Sequence, residues 1–167
     1  MKKKLWLMIG VIVVICIIVF CVFYTRARTL EQRFPYIDIA KCIKIEGNYS
    51  IGQNAELTPY AISPGEARFD ELIDIIRAAG FRTRLSNILP KGTKFRRATE
   101  DGINWDAELC FDGVKLPDGS VSSGAILGVQ YFYGDLTLTV NGEIINCSVE
   151  NEAEWAQKVM DIIRRAN

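Results

Sequence analysis

Three hydrophobic periods divide this chain. From Leu5 to Tyr24 the sequence LWLMIGVIVVICIIVFCVFY carries no charged side chain, and its apolar residues leave no polar face. A helix of about twenty residues rises about 30 Å, the hydrocarbon thickness of a bilayer. Trp6 and Tyr24 stand near its two ends, where amphipathic rings prefer the headgroup boundary. A cleaved signal peptide has a shorter apolar region, of roughly 7–15 residues, and a small-residue processing site. Here Arg26 interrupts the nearest such site, Thr25-Arg26-Ala27, and bulky Ile15 and Phe20 precede Cys16 and Cys21. The pattern predicts an uncleaved transmembrane anchor at residues 5–24, with a tail at 1–4 before it and a connector at 25–36 after it.

Beyond Tyr36 the period drops to two. Ile37, Ile39, Ile43 and Ile45 share one parity against Asp38, Cys42 and Lys44, which predicts a half-buried strand. Residues 46–55 read as a turn, and 56–62 as a short second strand. Ser63-Pro64-Gly65-Glu66 has the form of a capping box with proline at the first helical position. Phe69, Leu72, Ile73, Ile76 and Ala79 then make one helical stripe, with Gly80 as a left-handed stop. Phe81, Thr83 and Leu85 alternate with Arg82 and Arg84 as a returning strand, and residues 87–104 read as a loop. Alternation resumes at Trp105, Ala107, Leu109 and Phe111, before turn signals at Asp112-Gly113 and Pro117-Asp118-Gly119. Strands at 126–133, 136–140 and 143–149, joined by Gly134-Asp135 and Asn141-Gly142, predict an antiparallel meander with two-residue hairpin turns. A last helix from Asn151 carries Trp155, Val159, Ile162, Ile163 and Ala166 on one face. This order predicts an α+β domain over 37–167: a mostly antiparallel sheet with two helices packed on one face.

Charge sharpens the division. The 167 residues hold 20 basic and 20 acidic side chains and no histidine. Lys2, Lys3, Lys4, Arg26 and Arg28 flank the anchor, and every acid lies beyond it. The positive-inside rule, with three lysines on the short tail, favours a cytoplasmic N-terminus and an extracytoplasmic domain, against Arg26, Arg28 and Arg33 in the following window. The absence of histidine excludes Ser-His-Asp and Cys-His machinery and histidine-ligated zinc. A neutral total argues against a nucleic-acid partner. No cofactor or metal is expected. The glycines at Gly119–Gly124 precede a strand rather than a helix, and Asp112–Ser120 lacks the ligand spacing of a calcium loop.

Candidate chemistry is confined to four features. Between Ile75 and Thr99 stand seven basic residues (Arg77, Arg82, Arg84, Lys91, Lys94, Arg96 and Arg97) and no acid; between Glu100 and Asp118 stand six acids against Lys115 alone. The basic run, with Arg82, Arg84, Lys91, Lys94, Arg96 and Arg97 as its core, suits anionic headgroups, an envelope polymer or an acidic protein partner. The competing view is that the two runs neutralise each other across a solvated face. Cys42, Cys110 and Cys147 remain outside the anchor. If the strands carrying Cys42 and Cys110 are neighbours, these two are the candidate disulfide; packing thiols are the alternative. Asp106 and Glu108, with Glu100 and Asp101 nearby, are candidate acids for an envelope hydrolase, although a glycosidase would need two carboxyls facing across a cleft. Among the aromatics, alternation puts Tyr131 and Tyr133 on the core side and Phe132 outside.

Several stretches resemble a known class. The Ile-rich Ile39–Ile45 segment, the helix Phe69-Asp-Glu-Leu-Ile-Asp-Ile-Ile76, the continuation Arg82-Thr-Arg-Leu-Ser-Asn-Ile-Leu-Pro90 and the closing Val129-Gln-Tyr-Phe-Tyr133 meander are similar to small uncharacterised extracytoplasmic domains anchored in the membranes of Gram-positive bacteria. The Lys91–Asn104 insertion and the cysteines depart from that pattern. The resemblance implies a fold and an address, and carries no catalytic residues. The resulting expectation is a non-enzymatic module held in the bilayer by residues 5–24 and binding a ligand at the outer face of the cytoplasmic membrane. A membrane-anchored immunity or inhibitor protein, or a hydrolase using the 100–112 acids, are the alternatives.

Overall fold

The computed structural model describes residues 2–52, 56–84, 87 and 102–165. Helix α1 spans Lys2–Thr25. Over Met8–Thr25 its mean hydropathy is 3.0 and none of the stretch is buried, so it is long and apolar enough to cross a membrane and is not a core helix of the domain.

The chain does not loosen after α1. Thr29 Oγ1 accepts from the Gln32 N–H while Gln32 Oε1 accepts from the Thr29 N–H, a reciprocal capping box that starts the short helix α2, Leu30–Arg33. Leu30 is fully buried in the core. Just before it, Arg28 and Phe81 exchange both backbone hydrogen bonds, at 3.0 and 2.9 Å. The connector expected at 25–36 is therefore folded into the domain, and the boundary drawn at residue 37 falls too late.

The strand expected over Ile37–Ile45 also shifts. Asp38 Oδ1 accepts from the Ala40 N–H and opens a 3₁₀ turn at Ile39–Lys41. That turn buries Ile37 and Ile39 but leaves Ile43 exposed. Strand β1 begins at Lys44 and runs to Ile51, through residues whose composition suggested a turn. Gly47 is there for clearance: a Cβ at this position would collide with the backbone carbonyl of Asp106. Tyr60, opposite Gly47, instead sends its hydroxyl to that carbonyl at 2.7 Å.

The remaining elements are β2 (Thr58–Ile62), α3 (Ala67–Ala78), β3 (Arg82–Thr83), β4 (Ile103–Lys115), β5 (Val121–Phe132), β6 (Asp135–Val140), β7 (Glu143–Ser148) and α4 (Glu152–Arg164). They form a seven-stranded sheet in the order β2-β1-β4-β5-β6-β7-β3, with every pairing antiparallel. The protein is α+β. Local signals were displaced rather than lost. Glu66 Oε1 does accept from the Ser63 N–H, but Gly65 at φ +95° interrupts the backbone, so α3 starts at Ala67 without a side-chain cap. The helix ends at Ala78 on extended backbone, and Gly80 is not left-handed; it lies against Ala27 of the connector. Asp112-Gly113 makes a β-bulge within β4, whereas Pro117–Gly119 makes the turn. The first hairpin turns at Tyr133-Gly134, both at positive φ, one residue ahead of the expected pair. Asn104 Oδ1 holds the Tyr133 N–H at 3.0 Å, which leaves the Tyr133 ring exposed rather than in the core. The second hairpin turns at Asn141-Gly142, as expected.

One face of the sheet is apolar. Trp105, Ala107 and Leu109 of β4 lie opposite Tyr131, Val129 and Leu127 of β5, which in turn face Leu136, Leu138 and Val140 of β6. These residues join Phe69, Leu72 and Ile76 of α3 and Ala156, Val159 and Ile163 of α4 in one cluster. Trp105 is its hinge point: its ring lies 6.1 Å from Tyr131 and 5.8 Å from Trp155, and its Nε1 donates to the Ala156 carbonyl at 3.1 Å. Trp155 Nε1 reaches the Ile75 carbonyl at 3.5 Å, so the two helices are tied together over this face. Replacing a buried aromatic ring by alanine removes both contact and transfer energy. Trp105→Ala should destabilise the detergent-solubilised full chain by about 3–5 kcal/mol in urea unfolding. Ile144→Ala, at an exposed position, should change it by less than about 0.5 kcal/mol.

Candidate functional site

The basic residues singled out by sequence meet the structure at the β3 edge. Arg82 is exposed and makes no ion pair among the described residues. Arg84 is different. Its guanidinium bridges Asp135 Oδ1 at 2.8 Å and Glu152 Oε1 at 2.7 Å, tying the edge strand to the starts of β6 and α4. Burial holds the Glu152 carboxyl above its usual range, with Arg84 pulling the other way. Arg84, expected in an anion-facing patch, is instead an internal clamp whose charge is taken up by two carboxylates. The partners that neutralise it lie outside the 100–118 acidic run; Arg77 likewise pairs with Glu31, at 2.8 Å. Lys91, Lys94, Arg96 and Arg97 lie outside the described residues, as do Glu100 and Asp101.

Past Thr83 the edge is continued by side chains. The Arg84 N–H donates to the Asn146 carbonyl, and the Asn87 amide takes the place of a strand backbone: its Nδ2 donates to the same carbonyl while its Oδ1 accepts from the Asn146 N–H. This ties the start of the basic segment to β7 and the sheet.

Two arginines that sequence patterning treated only as flanking charge belong to the same edge. Arg28 carries the backbone bridge to Phe81, and its side chain is exposed. Arg33, at the end of α2, donates from Nη1 to Thr83 Oγ1 and from Nη2 to the Phe81 carbonyl at 2.8 Å. Its Nε is buried and has no hydrogen-bond partner among the described residues. The available signal was their position directly after the apolar segment; what could not be read was that Phe81 and Thr83 would come to meet them from about fifty residues away.

The cysteines sort by strand. All five are free thiols. Lys44 of β1 lies opposite Cys110 of β4, and the Ile43 N–H donates to the Cys110 carbonyl at 2.9 Å, so the two strands are neighbours and bring Cys42 beside Cys110. Cys42 Sγ donates to the Lys44 carbonyl and Cys110 Sγ lies 3.7 Å from Glu46 Oε1. Burial pushes the Cys42 thiol up to about 11, with the hydrogen bond to the Lys44 backbone pulling the other way. Burial and the Glu46 carboxylate raise Cys110 as well. Cys147 is buried on the core side and is also raised to about 11 by burial.

The acids of β4 lie on the other face. Asp106 Oδ1 accepts from the Asn48 N–H, and its carboxyl is raised by burial. Glu108 sits opposite Glu46, whose carboxylate is held low by a hydrogen-bonded ion pair with Lys44. Glu108 borders a shallow depression of about 60 Å³ with Gln130 and Thr139. No group of three His, Cys, Asp or Glu side chains among the described residues is arranged to hold a metal ion. Comparison with family models, curated proteins and solved structures finds no match for this chain.

A thiol reacts as its thiolate, so a pKa about two units above the ordinary value lowers the reactive fraction at pH 8 by about 100-fold. Alkylation of Cys42 and Cys147 in the folded chain, followed by peptide mass spectrometry, should therefore be at least that much slower than in urea. Its rate should keep rising with pH past 10; a plateau near pH 9 would contradict the burial argument.

Proposed function

We propose that this chain is a single-pass membrane protein whose α+β domain is a non-enzymatic interaction module, held at the outer face of the cytoplasmic membrane. The observation that carries this reading is the junction. An apolar helix of bilayer length runs into a domain that grips the chain again by Arg28, leaving Ala27 against Gly80 and Leu30 in the core. Such a link confines the domain to the membrane surface and raises its effective concentration for anything held there.

The charge pattern supports a binding role. Arg82 presents at the sheet edge a cation with no ion pair among the described residues, and the sequence that follows adds Lys91, Lys94, Arg96 and Arg97 with no acid before Glu100. An anionic envelope polymer, anionic headgroups or an acidic protein surface fit that run. Asp106 of β4 accepts from the Asn48 N–H, and Glu108 lies opposite Glu46 of β1, which is itself paired with Lys44, an arrangement that favours the binding reading over hydrolysis.

The detergent-solubilised full chain should be retained on phosphocellulose at low salt. Joint replacement of Arg82, Lys91, Lys94, Arg96 and Arg97 by alanine should shift elution to markedly lower salt, since exposed ion pairs are screened within about 10 Å at 0.1 M. Unchanged elution would remove the anionic-partner reading.

A further inference from the structure

Where α1 meets the domain, Phe20, Phe23 and Tyr24 on the helix and Arg28, Arg33 and Thr83 beyond it enclose a cleft of about 350 Å³. Its two halves differ in chemistry. The aromatic half belongs to the apolar stretch, with Phe20 and Phe23 exposed along the helix. The other half begins where that stretch ends, carries two guanidinium groups and is lined by no acid among the described residues.

Arg33 is held in place without being neutralised. Its hydrogen bonds go to the Thr83 hydroxyl and the Phe81 carbonyl, neither of which carries charge, and its buried Nε has no acceptor among the described residues. A partly desolvated cation without a counter-charge is costly, and the neighbouring carboxylate, Glu31, is already engaged by Arg77. Arg28 adds a second cation whose side chain has no ion pair among the described residues. An anion offering several oxygens, attached to an apolar chain, would satisfy both halves at once. Guanidinium forks suit phosphate oxygens, and the aromatic rings suit the first methylenes of an acyl chain.

We propose that this cleft binds one anionic phospholipid, its phosphodiester between Arg28 and Arg33 and its upper acyl chain along Phe20 and Phe23. The proposal rests on the reading of α1 as a membrane span. Continuity of the aromatic half with that span is what selects a lipid over a soluble phosphate. The bound headgroup would supply the counter-charge that Arg33 lacks and fix the domain edge at the bilayer surface.

The full chain would be placed in nanodiscs of equal parts phosphatidylglycerol and phosphatidylcholine, released into mild detergent and weighed by native mass spectrometry. The proposal predicts one retained phosphatidylglycerol, favoured by about tenfold over phosphatidylcholine, the scale of a charge-assisted contact. Arg28→Gln, which leaves the backbone bridge to Phe81 available, should lower that retention by about tenfold. Arg28→Lys should keep roughly half of it, because the charge remains. Arg26→Gln, in a separate cleft with Val22 and Arg82, should change it by less than about twofold. Equal retention of the two lipids, or retention unaffected by Arg28→Gln, would overturn the site while leaving the anchor intact. A chain that does not enter nanodiscs at all would overturn the anchor and the site together.

Discussion

The fold depends on one short-range constraint: the chain leaving α1 has only Arg26 and Ala27 before Arg28 is paired to Phe81. Two backbone hydrogen bonds there, the α2 capping box and the burial of Leu30 convert what could have been a tether into part of the sheet edge. That edge is β3, only two residues long, and a strand so short would be marginal by itself. It persists because Arg28 closes one side, β7 the other, and Arg84 and Asn87 extend the grip past Thr83. This edge lies beside the end of the apolar helix rather than remote from it.

The polar groups at the junction divide into those that build it and those left over. Arg84 is consumed by Asp135 and Glu152, and Arg77 by Glu31. Arg28, Arg33 and Arg82 are left with positive charge that the described side chains do not answer by ion pairing. A surface with unanswered charge of one sign, next to a helix of bilayer length, is where headgroup or polymer phosphate would contribute most, because low dielectric and short distance strengthen the attraction.

Much of the architecture was legible because its signals are local. The stripe Phe69-Leu72-Ile73-Ile76, the alternation from Trp105 to Phe111 and the Asn141-Gly142 turn each depend on neighbours a few residues away, and each appears in the structure. Where the structure departs from the local pattern, distant partners account for several of the differences. Gly47 suits a turn by composition, yet it lies within β1, where glycine lets the strand approach Asp106. Gly80 stands where a left-handed stop is expected, yet its φ is not positive, and it packs beside Ala27. The Tyr133 backbone is pinned by Asn104, twenty-nine residues earlier. The candidate site was legible only in composition. A run of arginines could be counted, but which were free depended on where Asp135 and Glu152 arrived. The adjacency of Cys42 and Cys110 could be framed as a condition on strand order, and β1 and β4 do pair.

The account stands on α1 lying within lipid while its end is built into the domain. Alkaline carbonate extraction of membranes from cells producing the full chain tests this directly, because the wash strips proteins held by charge and leaves those held by apolar spans. The intact polypeptide should stay in the membrane pellet. Its release, at full length, into the aqueous fraction would contradict the account.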